Sequence, residues 1–182
     1  MTSSPEEMQE LQERAEQGQQ SRLAPVSLTM AILAVFVAAV SVLGHRAHTE
    51  EIILQNRVTD TWAYYQAKNT QRQTNEIFLD LLKISEFRDQ KTAEALRNKY
   101  EDAVRSFAGR QDEIKNEAHK LEKEMEIERR RGDRFDLSES FLEVALVVTS
   151  ITLLTRKRVF WGAGFFAAAI GLVVAVTALA LH

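Results

Sequence analysis

Two carboxylates one helical turn apart, Glu139 and Glu143, stand in an otherwise apolar stretch. On a helix they share a face. An acid in such surroundings must be paired, protonated or within reach of water, and these are the conditions under which carboxylates handle protons or ions. His45 and Arg46 leave an earlier apolar stretch on the same side, so an intramembrane ion pair is expected between one of them and Glu139 or Glu143. Asp136 and Glu139 also fit the Asp-x-x-Glu capping box, which gives Glu139 a purely structural role. The histidines His45, His48, His119 and His182 are too scattered for a metal site, and there are no cysteines. That excludes disulfides, thiolate catalysis and cysteine-bound metals. No Walker A loop, dinucleotide fingerprint or nucleophile elbow occurs. No catalytic residue, metal or cofactor is therefore expected, and an enzyme is the least supported class. The net charge of -3 gives no basic excess to attract nucleic acid.

Binding chemistry is better represented. Trp62, Tyr64, Tyr65, Gln66 and Lys68 bring three aromatic rings, an amide and an ammonium into seven residues. Trp62 and Tyr65 share a helical face, which suits packing, while Tyr64 points elsewhere and is the candidate for contact with a partner or second subunit. Arg129, Arg130, Arg131 and Arg134 precede the second apolar stretch. They are candidates for anionic lipid headgroups, at about 1 kcal/mol each, or for neutralising Glu122, Glu124, Glu126 and Glu128. Ala163, Ala167, Gly171 and Ala175 form a row of small residues, with Gly164 and Ala168 as a shorter second row. Small residues let helices approach closely in lipid. The row is expected to pack within the chain or between copies.

The elements that position these residues follow from how charge is distributed. Averaged over 182 residues, with 27% charged, the chain looks soluble. The charge is segregated, however, and a bilayer span needs only about 20 consecutive apolar helical residues. Residues 25–43 and 159–181 carry no charge, and residues 137–155 carry only Glu139 and Glu143. These are the three expected transmembrane helices. Residues 1–24 are polar and acidic, with a thin stripe of Met8, Leu11 and Ala15 that Gly18 could end. Arg156-Lys157-Arg158 alone separates the last two spans, so they must run antiparallel.

Residues 44–136 leave and re-enter on one side of the membrane. They are expected to fold as a long antiparallel helical hairpin, a coiled coil, with arms of about 60 Å at ~1.5 Å per residue. Its turn lies near residues 85–92, where Ser85, Asp89 and Thr92 offer caps. In the second arm, Ala93, Tyr100, Val104, Phe107, Ile114, Ala118, Leu121 and Met125 keep an alternating four–three spacing, interrupted by Arg97 and Gln111. Gly109 is expected to loosen this arm without ending it. In the first arm Leu54, Val58, Trp62 and Tyr65 are apolar, as are Ile77, Phe78, Leu81, Leu82 and Ile84. Residues 66–76 contain only Ala67 as an apolar residue, so the seam there is expected to be polar or wet.

From about Ala31 onward the chain resembles a bacterial membrane family catalogued as domain of unknown function family 4337. The segment Trp62-Ala63-Tyr64-Tyr65-Gln66-Ala67-Lys68 carries most of the likeness. Lys99-Tyr100-Glu101 and Arg134-Phe135-Asp136-Leu137 follow in the same order. The resemblance implies a bacterial inner-membrane protein of this topology and assigns no activity. The function expected is a non-enzymatic scaffold that displays the hairpin, self-associates into a homo-oligomer and offers the hairpin to a protein partner. The alternative is a small channel or transporter subunit in which residues 66–76 and Glu143 line an aqueous path. The short basic loop between the last two spans favours a periplasmic hairpin, although arginines also flank the hairpin.

Overall fold

The computed structural model describes residues 5–86 and 88–181, with side chains described from residue 23 onward. Every regular element among them is an α-helix: α1 Pro5–Ile84, α2 Gln90–Ala108, α3 Gln111–Thr155 and α4 Arg158–Leu179. The side chains of Met8, Leu11 and Ala15 fall outside the described residues, as does His182.

Three places depart from the expected helix boundaries. First, α1 runs through both Gly18 and Pro25. A lone glycine costs a helix only about 1 kcal/mol and need not end it. Second, Gly109 does end α2, and α3 begins two residues later. Gly109 keeps right-handed angles of φ -68 and ψ -20. Its N–H still reaches Arg105 O at 3.2 Å, while Arg110 N–H reaches only back to Phe107 O at 2.9 Å. The break is one tightened turn at the position with no side chain to resist it. Third, α3 is continuous through Asp136, so no helix starts there for Asp136 and Glu139 to cap.

Asp89 caps α2, its Oδ1 accepting from Lys91 N–H at 3.1 Å and Thr92 N–H at 3.3 Å. Between α3 and α4 the chain reverses over Arg156 and Lys157, with Arg156 left-handed at φ 58.

The chain divides into two compact units. One comprises the described residues up to His48 and those from Arg129 on; the other is Thr49–Glu128. The first unit packs α4, the early part of α1 and the late part of α3. Its core includes Leu33, Val40, Ala47, Phe135, Leu142 and Ala145, with Ala168, Ala175 and Ala178 from α4. Val26, Leu33, Val40, Ala47 and Leu54 are all buried. They recur every seventh residue, the period that keeps one helical stripe against its neighbours.

The helices of this first unit approach closely. A Cβ added at Gly44 would lie 3.3 Å from Phe135 Cβ, and one at Gly132 would lie 2.7 Å from the His48 ring. A Cβ on Gly164 would collide with Thr149 Oγ1 and lie 3.0 Å from Ala145 O, and one on Gly171 would lie 3.0 Å from Ser138 O. Ser138 Oγ donates to Gly171 O at 2.7 Å. Arg134 Nη1 donates to Thr177 O at 3.0 Å, satisfying a carbonyl in the last turn of α4.

The outside of this unit is apolar. Leu28, Val35, Val147, Val159, Phe166 and Val173 all lie exposed. Among the described residues, three helices are long and apolar enough to cross a membrane, within Leu23–Ile84, Gln90–Thr155 and Arg158–Leu179, by length and composition. The chain is thus all-α, with the makings of a multi-pass membrane protein.

Candidate functional site

The aromatic segment and the residues it meets gather in the unit Thr49–Glu128. α1 carries Trp62, Tyr64, Tyr65 and Lys68, and the α2–α3 junction carries Phe107, Arg110 and Gln111. Trp62 meets Tyr65 edge-on, with ring centroids 5.7 Å apart, and meets His119 in the same way at 5.5 Å. Such pairs contribute about 0.5–1.5 kcal/mol beyond the area they bury. Trp62 Nε1 donates to Glu122 Oε1 at 2.9 Å, and His119 Nδ1 lies 2.9 Å from the other Glu122 oxygen. The His119 bond, and then the Trp62 bond, hold the Glu122 carboxyl below its ordinary pKa. Tyr65 leans on Phe107 with centroids 6.1 Å apart, and its hydroxyl accepts from Gln111 Nε2 at 2.7 Å. Trp62 and Tyr65 are half-buried, and Phe107 and Ala118 are buried.

Tyr64 points away from this cluster and is 48% exposed. Gln66 is exposed and joins neither group. Lys68 is half-buried, with Nζ 5.9 Å from the Tyr64 ring centroid and 3.3 Å from Gln71 Oε1. Beside them opens a cavity of about 180 Å³, whose walls include Tyr64, Lys68, Arg72, Asn75, Phe107 and Arg110. The structure therefore separates the five aromatic-segment residues. Trp62 and Tyr65 pack, Tyr64 and Lys68 face the cavity, and Gln66 faces out.

Glu122, His119, Arg72 and Arg110 belong to these two groups, and the sequence reading assigned none of them to the site. A signal existed for Arg72: continuing the four–three spacing from Tyr65 gives Asn69, Arg72 and Glu76. Arg72 donates to Glu76 Oε1 at 2.7 Å and to Asn69 Oδ1 at 3.3 Å. No comparable pattern marks Arg110, which lies at a helix break.

In the other unit, His45 and Arg46 are exposed, Glu139 is half-buried and Glu143 is exposed. A pair between α1 and α3 there is made by neighbouring residues: His48 Nε2 donates to Asp136 Oδ2 at 3.0 Å. Gly132 makes room for the His48 ring. Arg129, Arg130 and Arg131 each have partners within the chain, and Arg134 is held by α4. In α4 the buried stripe is Gly164, Ala168, Gly171, Ala175 and Ala178. Ala167 packs against the core and Ala163 is exposed. A strict spacing of four drifts around the helix by about 40° per step at 3.6 residues per turn, whereas alternating four and three stays on one side.

A family model described as a domain of unknown function, DUF4337, matches residues 22–181. No curated protein and no solved structure matches the chain.

Proposed function

The chain belongs to the DUF4337 family, and from that premise we propose that it is a non-enzymatic membrane scaffold. Three spans anchor a helical hairpin, and the hairpin mediates self-association in the bacterial inner membrane. The observation that carries the reading is an apolar strip left uncovered outside the spans. Ile77, Phe78, Leu81 and Ile84 are 62%, 45%, 48% and 81% exposed. Contiguous exposed apolar surface of this kind marks an interaction site, since a water-facing strip gains from being covered. The antiparallel hairpin is supported by the descending order of partners along α1: Trp62 with Glu122, Tyr65 with Gln111, Phe78 with Tyr100. Its coiled seam is supported by Ala93, Tyr100, Val104, Phe107, Ile114, Ala118, Leu121 and Met125, all buried or half-buried.

The test is oligomeric size in nanodiscs, read by mass photometry. An oligomer is expected for the natural chain. Ile77→Glu, Leu81→Glu and Ile84→Glu together should reduce it to monomers with helicity intact. A monomeric natural chain would sink the self-association. The channel alternative rests on residues 66–76 and on Glu143, which is exposed beside Val144 and Val147 on the apolar outer face of α3. Cation conductance in planar bilayers that Glu143→Gln abolishes would decide for the channel.

A further inference from the structure

The cavity beside Tyr64 gathers more positive charge than is matched around it. Lys68, Arg72 and Arg110 all line it, and no Asp or Glu does. Arg72 alone of the three is in an ion pair, with Glu76 at 2.7 Å. Lys68 Nζ is held by an amide oxygen of Gln71, and Arg110 by Ser106 O and Oγ at 3.3 and 3.1 Å. Two full charges thus meet neutral acceptors where a carboxylate would bind more strongly. Arg72 Nε is buried and has no hydrogen-bond partner among the described residues, which costs free energy. The volume of about 180 Å³ has room for about six waters at ~30 Å³ each.

We propose that this cavity binds a small anion through a phosphate group. A tetrahedral group with several oxygens suits the Arg110 guanidinium and the Lys68 ammonium, with Arg72 adding positive charge to the wall, since arginine recognises phosphate by paired donors and lysine as a point charge. Tyr64 and Phe107 supply flat walls against which an organic portion can lie. The same phosphate chemistry is carried by soluble phosphate esters and by lipid headgroups. The site lies within one compact unit of the chain and is independent of the scaffold reading.

The test uses the full chain in nanodiscs. Pyrophosphate titrated against protein in zwitterionic lipid, read by calorimetry, probes the soluble source. Discs containing phosphatidic acid, read by thermal stability, probe the headgroup. Saturable pyrophosphate binding that weakens with salt is expected. Lys68→Gln with Arg110→Gln should weaken it at least about tenfold, the loss of charge-assisted bonds, whereas Lys83→Gln, outside the cavity, should leave it unchanged. Stabilisation by phosphatidic acid alone, lost in the same double variant, supports the site with a headgroup as its source. The assignment is overturned if the natural chain responds to neither probe, a result that does not depend on any variant folding. It is equally overturned if the double variant, with native helicity, responds as the natural chain does.

Discussion

Glu122 is the residue whose protonation has the clearest structural consequence. Its carboxylate receives His119 on one oxygen and Trp62 on the other, and its pKa lies below the ordinary 4.5. A carboxyl with a depressed folded-state pKa adds stability above its unfolded pKa and loses it as pH falls through the folded value. Acidification below about pH 4.5 should therefore release Trp62 and shift its emission to the red. Trp161 would obscure this, so the measurement belongs in a Trp161→Phe background. Glu122→Gln should flatten the transition, and an unchanged acid transition would show that Glu122 does not hold Trp62. Glycine contacts make a second prediction at this scale. Gly164→Leu must displace Thr149 and the Ala145 carbonyl, and should lower stability in detergent by about 1–3 kcal/mol or more. Gly162, with nothing within 4 Å of an added Cβ, should tolerate alanine or gain up to about 1 kcal/mol. Equal effects at the two positions would refute the close α3–α4 approach.

At the scale of elements, stacking of Phe78 on Tyr100, with centroids 5.4 Å apart, ties α1 to α2. The absence of native cysteines makes this testable without background. Phe78→Cys with Tyr100→Cys should form an intramolecular disulfide on mild oxidation, whereas Phe78→Cys with Met125→Cys should not. Failure of the first pair alone to react would refute the antiparallel pairing. The small-residue stripe of α4 belongs to this scale too. Its 164, 168, 171, 175, 178 sequence places two glycines where α3 presents backbone oxygens. That lets Ser138 bridge to Gly171 with a short hydrogen bond, the kind of contact that holds helices together in lipid.

For the whole molecule, the exposed apolar surface of α4 and of the early part of α1 requires a cover, and a bilayer supplies one at no cost in specificity. Which side the long polar segment occupies then rests on charge in the shortest loop. Arg156 and Lys157 connect α3 to α4, and short basic loops stay on the cytoplasmic side. An impermeant maleimide should label Gln90→Cys in cells with a permeabilised outer membrane and an intact inner membrane. It should label Lys157→Cys only after the inner membrane is opened. The opposite pattern would place the polar segment in the cytoplasm. The left-handed Arg156 shows how tight this reversal is, since a non-glycine residue there costs about 1–2 kcal/mol.

The amino-acid sequence by itself determined that the chain is helical and which three windows can cross a membrane. Both properties are local: they depend on the run of apolar residues, the scarcity of Pro and Gly, and the caps around Asp89. Periodicity also marked residues of α2 and α3, from Ala93 to Met125, that are buried or half-buried, because burial recurs along a helix at fixed spacing. Only the tertiary structure decided which neighbours meet. The row that packs in α4 contains Gly164 and Ala168, with Ala163 left outside. His48 on α1 meets Asp136 on α3. Arg72 and Arg110, 38 positions apart in the chain, line one cavity. These outcomes depend on the rotation and offset of one helix against another. Interlocking side chains of both partners set that fit, and no single helix encodes it.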